Sequence, residues 1–325
     1  MSHVVIRSVP FTTSLRAAQG GAKELIQRDR ARAQKFLAGE SAHGPLHFVD
    51  AHRRRHGHHH KETAPSDATT TAPSTIDVSD SGVTYIMQVG VGNPATQHAL
   101  LIDTGSSNTW IGANTTYKPT STSHSTGNTV NVSYGSGSMT GKEYTDTVTL
   151  GANLVIKNQS IGVASSTQDF QDVDGILGVG PADLTQGTVS NTTSVPTVTD
   201  NLYAQGTIPS DSIGISYEPS STANVSNGEI TFGGTDSTKY TGQMNFVPLT
   251  TTSPASKYWG INQSVSYGTG NTILQTTAGI VDTGTTLLLL ATNAFQAYQK
   301  ATGATLDQSS NDHAATIRQS SELVV

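Results

Sequence analysis

The chain is 325 residues long, which is enough for two domains of ordinary size. It contains no cysteine, so disulfides, thiolate metal sites and cysteine nucleophiles are excluded. Its charge is unevenly spread, because residues 1–61 carry a net charge of +7 and residues 62–325 one of −13. A basic arm therefore precedes an acidic body. That body would repel phosphate, and no nucleic-acid-binding motif accompanies the arm, so nucleic acid is not an expected partner.

The arm is expected to be partly helical and the body to consist mainly of strands. Residues 19–39 have helical composition and end at a glycine. Residues 61–75 are typical of a flexible linker before a body that begins near Ile76. In the body, short Thr- and Val-rich segments alternate with turn residues, which predicts an all-β fold class. The predicted strands cover 83–89, 99–102, 129–134, 144–150 and 211–217.

Two helices are predicted in the body. One covers residues 195–205 and is closed by Gly206, and the other covers 294–302, with Thr292 or Asn293 as N-cap and Gly303 as its end. No run approaches the ~18 apolar residues that a membrane helix needs, so no membrane segment is expected. The first fifteen residues hold only a short apolar stretch, and no export signal is visible.

One four-residue motif occurs twice, each time after an apolar run. Asp103-Thr104-Gly105-Ser106 follows residues 99–102, and Asp282-Thr283-Gly284-Thr285 follows residues 279–281. Two aspartates in such similar surroundings indicate one site built from two halves. Two carboxylates a few ångströms apart cannot both ionise easily, so the pair shares a proton and provides an acid and a base together. Asp103 and Asp282 are therefore the predicted catalytic residues.

The other motif positions also have predicted tasks. The glycine permits a positive φ and lets an N–H approach the carboxylate without an intervening Cβ. The threonine hydroxyl is placed to bind the opposite loop and lock the two loops together. The last hydroxyl residue is expected to donate a hydrogen bond to an outer carboxylate oxygen, which favours ionisation. These predictions concern Gly105 and Gly284, Thr104 and Thr283, and Ser106 and Thr285.

Further motifs accompany the repeated one. They are Ser107-Asn108-Thr109-Trp110, Tyr134-Gly135-Ser136-Gly137-Ser138-Met139, Asp174-Gly175-Ile176-Leu177-Gly178, residues 200–206, Phe232-Gly233-Gly234 and Tyr240-Thr241-Gly242. With them the chain resembles the pepsin-like aspartic proteases from about Val83 to about Gly303. The cysteine-free, Ser/Thr-rich composition is most similar to secreted fungal members.

The resemblance implies a bilobal architecture and a mechanism. Residues 1–75 would form a prosegment, 76–210 a first lobe with Asp103 and 211–325 a second lobe with Asp282. The two aspartates would hold a water, one activating it for attack on a peptide carbonyl while the other polarises that carbonyl. The chain would be an extracellular monomer acting at acid pH on peptides with apolar side chains beside the cleaved bond. No cofactor and no metal are expected.

The resemblance also identifies a flap and a prosegment inhibitor. Tyr134, Gly135 and Ser136 would form the hairpin that covers the substrate, with the Tyr134 hydroxyl near the indole N–H of Trp110. The basic arm would lie on the acidic cleft at neutral pH and loosen on acidification, as carboxylates lose charge and histidines gain it. Which basic residue reaches the aspartates is left open. The His- and Arg-rich residues 52–60 are either a solvated tract or a loose metal binder.

The second half departs from the family. In the family each aspartate loop is braced by an apolar-apolar-Gly strand, which Ile176-Leu177-Gly178 supplies for Asp103. No such tripeptide occurs among the 43 residues after Asp282. The second lobe is therefore expected to be truncated, to leave residues 287–290 partly uncovered, and to make the chain poorly stable or inactive.

Two other functions stay open at this point. An inactive homologue would act at most as a peptide-binding or interaction protein. A chain that binds peptides but shows no acid proteolysis would favour this alternative. A single-lobed retroviral-type protease would need a homodimer, and it is disfavoured because both aspartates lie in one chain.

Overall fold

A computed structural model describes residues 7–17, 21–38, 81–135, 137–170, 173–218, 225–268, 270–306, 315–316 and 323–324. The helices are α1 Gly21–Ala38, α2 Val198–Ala204 and α3 Thr292–Thr302. The strands are β1 Arg7–Ala17, β2 Ser81–Val91, β3 Thr96–Asp103, β4 Thr109–Ile111, β5 His124–Ser133, β6 Ser138–Gly151, β7 Leu154–Gln168, β8 Gly175–Gly178, β9 Ile213–Ser216, β10 Val225–Phe232, β11 Gly260–Tyr267, β12 Asn271–Ile280, β13 Thr305–Leu306, β14 Ala315–Thr316 and β15 Leu323–Val324. The expected linker at 61–75 and the tract at 52–60 lie outside the described residues.

Ten strands form one large sheet, in the order β5-β6-β7-β4-β8-β3-β2-β1-β10-β9. Strand β6 also pairs with β2, so this sheet curves back on itself. Strand β3 alternates buried and partly exposed side chains, with Leu100 and Ile102 fully buried beside Leu177 of β8. The parallel pairing of β3 with β8 places Asp103 opposite Gly178 at the end of both strands. The sheet thus carries the first aspartate on a rigid edge.

The arm contributes a strand to this sheet, which the sequence analysis did not predict. Strand β1 pairs antiparallel with β2 on one side and with β10 on the other. Its sequence does not alternate cleanly, and the pairing partners lie more than sixty residues away. A strand that is paired on both sides is therefore specified by its neighbours rather than by its own pattern. The helix predicted within 19–39 is confirmed as α1.

The two body helices are present, with differences at their starts. Helix α2 begins at Val198 rather than at 195, because Thr197 and Asp200 form a reciprocal capping box. Helix α3 has Ala291 as its N-cap and no side-chain cap, so the predicted caps Thr292 and Asn293 are wrong. Its end is as predicted, since Gly303 adopts a left-handed conformation with φ 70°.

The two halves of the body differ in how well their apolar residues are covered. The largest buried cluster lies mainly in the first half and includes Leu100, Ile102, Ile156, Ile161 and Leu177, while Ile230 and Phe232 extend it into the second half. The cluster in the second half is small and forms where α3 packs against β11 and β12. Several large apolar side chains of this half are exposed, namely those of Met244, Phe246, Val247, Leu249, Val281, Leu288 and Leu289. No helix among the described residues is long and apolar enough to cross a membrane.

Candidate active site

The two predicted aspartate loops contact each other directly. Asp103 is the last residue of β3 and is fully buried, and Asp282 follows β12 by two residues with its side chain 10% exposed. The second loop is held near the first sheet by two long-range hydrogen bonds around Trp259. Its indole N–H donates to the carbonyl of Val179 at 3.0 Å, and its own carbonyl accepts from the N–H of Val281 at 3.0 Å. The structure therefore brings together residues that are 179 positions apart in sequence.

The threonines of the two motifs join the loops symmetrically. The Thr104 hydroxyl donates to the carbonyl of Val281 at 2.9 Å and accepts from the N–H of Thr283 at 2.9 Å. The Thr283 hydroxyl donates to the carbonyl of Ile102 at 3.1 Å and accepts from the N–H of Thr104 at 3.1 Å. The predicted locking of the loops by Thr104 and Thr283 is thus confirmed.

Each carboxylate receives the same pair of local hydrogen bonds. Asp103 accepts from the Ser106 hydroxyl at 2.6 Å and from the Gly105 N–H at 3.0 Å. In the second loop, Asp282 accepts from the Thr285 hydroxyl at 2.5 Å and from the N–H of residue 284 at 2.9 Å. The predicted hydrogen bonds from the two hydroxyls are present. Such donors hold both carboxylates in a fixed orientation.

The predicted approach of the two glycine N–H groups to a carboxylate is present, whereas the predicted positive φ is wrong. Neither Gly105 nor Gly284 has a positive φ, so conformational freedom does not explain them. A Cβ on Gly105 would collide with the carboxylate of Asp282, and one on Gly284 would collide with that of Asp103. Glycine is needed because each loop lies directly against the other loop's aspartate.

A guanidinium from the arm lies between the two carboxylates. Nη2 of Arg32 is 3.0 Å from Oδ1 of Asp103 and 3.1 Å from each carboxylate oxygen of Asp282. Burial would lower the pKa of Arg32, but the charges of both aspartates and the hydrogen bonds to them raise it above its ordinary value. Arg32 therefore remains charged and neutralises part of the negative charge of the pair. It supplies the residue that the sequence analysis had left open.

Other residues of α1 contact both sides of the site. Lys35 Nζ donates to the backbone carbonyl of Ser133 on the flap strand, and the ring of Phe36 packs edge-on against Tyr258 with centroids 5.2 Å apart. Toward the second loop, Asp29 is fully buried and accepts two backbone N–H groups. Spacings of three and four residues place these side chains on one helical face. That spacing is a signal in the sequence that could have identified them.

The flap is a hairpin between β5 and β6, with the predicted tyrosine at its turn. The Tyr134 hydroxyl accepts a hydrogen bond from the Trp110 indole N–H at 2.7 Å, as predicted, and both side chains are buried. Burial raises the pKa of Tyr134, and the negative charge of Asp103 adds to the increase. Gly135 has a φ of 76°, and a Cβ there would collide with the carbonyl of Ala31, so the flap turn lies on α1. Ser136 lies outside the described residues.

The brace predicted for the first aspartate is present. Strand β8 carries Ile176-Leu177-Gly178 alongside β3, and Gly178 approaches the loop so closely that a Cβ would strike the backbone of Ser107. Within the described residues, β12 pairs only with β11 and no parallel strand supports the second loop. Leu288 and Leu289 are exposed, as expected, whereas residues 287 and 290 are partly buried.

Two joined loops that point carboxylates at one another, beneath a hairpin flap, define a site of the aspartic hydrolase class. In the described part of the chain no cluster of three or more His, Asp or Glu residues is placed to hold a metal ion. The groups that face the reacting position are carboxylates, hydroxyls and backbone N–H groups. This set can transfer protons and orient a peptide.

Comparisons with known proteins agree with this class. A family profile described as "Eukaryotic aspartyl protease" matches residues 84–324. Polyporopepsin from Irpex lacteus is 58% identical over 73% of this chain and 70% of its own length. Rhizopuspepsin from Rhizopus chinensis is 36% identical over 71% of this chain and 60% of its own length. The crystal structure of the aspartic proteinase from Irpex lacteus matches with a TM-score of 0.67 and 61% identity, over 69% of this chain and 66% of that one.

The chain belongs to the eukaryotic aspartyl protease family. The all-β, pepsin-like fold and the membership of an aspartic endopeptidase family, both predicted from the sequence, are confirmed. The chain spans between about three fifths and seven tenths of the length of the relatives named above.

Proposed function

We propose that the chain is the precursor of an aspartic endopeptidase that hydrolyses peptide bonds at acid pH. The observation that carries this proposal is the placement of Asp103 and Asp282 on two mutually hydrogen-bonded loops, with one guanidinium in contact with both carboxylates. A single cation reaches both groups only if they are close enough to share one water molecule. The relatives polyporopepsin and rhizopuspepsin are themselves named as pepsins.

In the proposed reaction, the ionised member of the aspartate pair removes a proton from water, and that water attacks the peptide carbonyl carbon. The protonated member donates a hydrogen bond to the carbonyl oxygen, and a proton then passes to the departing nitrogen. Ser106 and Thr285 keep the outer carboxylate oxygens fixed, so that the inner oxygens face the substrate. Atoms and charges balance without a covalent intermediate.

The flap would close the site over the substrate. Its tyrosine is held by Trp110 and flanked by Phe170, whose ring lies 5.5 Å from that of Tyr134 and 4.9 Å from that of Trp110. Apolar surroundings of this kind exclude water and suit peptides with apolar side chains at the cleaved bond. Gly135 and Ser136 would supply backbone groups for the substrate.

Helix α1 would act as an intramolecular inhibitor. Arg32 occupies the position between the carboxylates, so a peptide carbonyl and water cannot bind there at the same time. Protonation of the carboxylates on acidification removes the charge that holds the guanidinium. The precursor would therefore open at the pH at which the enzyme acts.

The remaining parts of the proposal concern organisation and location. Residues 1–75 would form the prosegment, 76–210 the first lobe and 211–325 the second lobe. The protein would act outside the cell, as its fungal relatives suggest, and as a monomer, because one chain carries both aspartates.

The test is cleavage of an unfolded protein at acid pH by the full chain. We expect turnover that a statine-type transition-state analogue blocks, and a loss of about a thousandfold or more in Asp103→Asn and in Asp282→Asn. Asp183→Asn makes the same change of carboxylate to amide at an exposed position, and as the matched control it should leave turnover unchanged. Retained peptide binding without any turnover would instead support a non-catalytic peptide-binding protein.

A further inference from the structure

Helix α1 makes a second polar contact with the active-site region, separate from that of Arg32. Oδ2 of Asp29 accepts hydrogen bonds from the backbone N–H of Thr286 at 3.0 Å and from that of Leu287 at 2.9 Å. The preceding residue, Arg28, donates from Nη2 to the hydroxyl of Thr286 at 3.0 Å. Two adjacent helix residues therefore bind two adjacent residues that follow the second aspartate motif.

The burial of Asp29 indicates that this contact is specific. Its side chain is fully buried in the described structure, although it carries a carboxylate. A buried carboxylate is tolerated only when hydrogen bonds and nearby positive charge compensate it. Here the two N–H groups provide the bonds, and Nε of Arg28 lies 3.5 Å from Oδ1. Burial raises the pKa of Asp29, while the two N–H groups and the charges of Arg28 and Arg32 lower it.

The segment that receives Asp29 lacks other regular support. Residues 286 and 287 belong to no helix or strand, and they adjoin the exposed Leu288 and Leu289. The backbone N–H groups there are donors without a ladder partner, and a carboxylate acceptor satisfies both at once. The Arg32 contact differs in kind, because it acts on charged carboxylates rather than on backbone groups.

We propose that Asp29 and Arg28 form a second inhibitory anchor, which binds the backbone at residues 286–287 and holds the loop after Asp282 in place. Asp29 then fixes the inhibitory helix on the loop, in addition to the contact of Arg32 with the carboxylate pair. The inhibitory function of this anchor rests on the proposed protease function. Its structural part does not, because docking of the helix can be measured without catalysis.

The test measures hydrogen exchange of backbone amides in the full chain at neutral pH. In Asp29→Leu, which has similar volume and no acceptor, we expect exchange of the amides of residues 286 and 287 to rise about tenfold or more. Asp29→Asn retains one acceptor oxygen and should give a smaller rise. Trypsin cleavage within α1 should also accelerate more in Asp29→Leu than in Asp29→Asn. Gln27→Leu, at an exposed position of the same helix, is the matched control and should change neither rate.

The amides of residues 100–102 in β3 report whether the fold is intact. If Asp29→Leu raises exchange there as well, Arg28→Gln is the deciding variant. It should raise exchange at residues 286 and 287 but not at 100–102, because Arg28 binds the Thr286 hydroxyl and lies beside Asp29. Unchanged exchange at 286–287 in a folded Asp29→Leu chain overturns the anchor, whatever the proteolytic activity. Faster exchange in a chain that shows no acid proteolysis leaves the anchor standing and removes the protease function. Faster exchange together with activity at higher pH supports both.

Discussion

At the scale of single residues, the geometry of the site depends on two hydroxyl groups as much as on two carboxylates. Each of the hydroxyls of Thr104 and Thr283 donates to a carbonyl of the other half and accepts an N–H from the other threonine. Buried polar groups of this kind are costly when unpaired. The distance between Asp103 and Asp282 is therefore fixed by the motif residue that follows each of them.

Thr283→Val retains the shape of this side chain but removes its hydroxyl. The carbonyl of Ile102 and the N–H of Thr104 lose their partner, so the free energy of unfolding should fall by about 1–3 kcal/mol. Acid proteolysis should fall with it, because the carboxylates lose their alignment. Urea unfolding measures the first effect, and Thr283→Ser, which keeps the hydroxyl, should restore most of the loss. A Val variant as stable as the native chain contradicts the prediction.

A second residue-scale feature is the buried histidine of β3. His98 is fully buried, and in the described structure neither of its ring nitrogens has a hydrogen-bond partner. Burial lowers the pKa of His98, although the charge of Asp174 opposes the change. The unfolded chain therefore binds this proton first, at a pH near 6.5. The contribution of neutral His98 to stability is fully present above that pH and is lost as the pH falls through the lower pKa of the folded state.

His98→Leu should reduce this acid sensitivity. This variant has no buried imidazole to protonate, so its melting temperature should decline less between pH 7 and pH 4. At pH 4 its free energy of unfolding should exceed that of the native chain by an amount on the order of 1 kcal/mol. Thermal unfolding followed by circular dichroism at several pH values measures the slope. His124→Leu removes an exposed histidine and is the control. An unchanged slope in His98→Leu shows that another group governs acid unfolding.

At the scale of elements, α1 links three parts of the site. It contacts the carboxylate pair through Arg32, the flap strand through Lys35 and the second loop through Asp29. The basic composition of the arm predicted such docking. Its strand β1, by contrast, was missed, because a strand between two distant partners carries no local signal of its own. The arm is thus part of the sheet as well as a cover for the cleft.

Arg32→Gln should weaken the inhibition. The amide carries no charge, so the two carboxylates regain their mutual repulsion, and α1 loses its strongest electrostatic contact. We expect cleavage of a peptide substrate at a pH about one unit higher than the native chain requires. Arg30→Gln makes the same charge change on the same helix without removing a contact to either aspartate. Equal pH profiles for the native chain and Arg32→Gln would show that Arg32 does not limit opening.

At the scale of the whole molecule, the two halves are unequal. The first aspartate stands on a large sheet with a wide buried cluster and a bracing strand. The second aspartate follows β12, which pairs only with β11 among the described residues. Several apolar side chains of this half are exposed. Local stability follows buried apolar contacts and protected hydrogen bonds. The second half is expected to open more readily than the first.

Hydrogen exchange of the full chain should reveal this difference directly. Amides of β3 and β8 should exchange at least about tenfold more slowly than those of β12, because the latter open without unfolding the large sheet. Exchange at neutral pH, followed by acid quenching, peptic digestion and mass spectrometry, measures both sets of amides in one experiment. The amides of α3 serve as an internal reference for the second half. Uniform exchange across both halves indicates a single cooperative unit and contradicts the expectation.

Short-range patterns in the sequence were sufficient to predict several features of the molecule. Repetition of Asp-Thr-Gly predicted Asp103 and Asp282 as the catalytic pair, Thr- and Val-rich segments between turn residues predicted strands, and Gly303 predicted the end of α3. These predictions follow from local conformational preferences, which act over a few residues.

Contacts between distant groups, in contrast, follow from the folding of the whole chain. The choice of Arg32 among the cations of the arm, the burial of Asp29 against residues 286–287 and the insertion of β1 between β2 and β10 depend on packing between segments far apart in sequence. The same holds for Gly105 and Gly284, which are required by the opposite carboxylate rather than by their own backbone conformation. The helical spacing of Asp29 and Arg32 places them on one face of α1, but the packing of the whole chain decides which groups they contact.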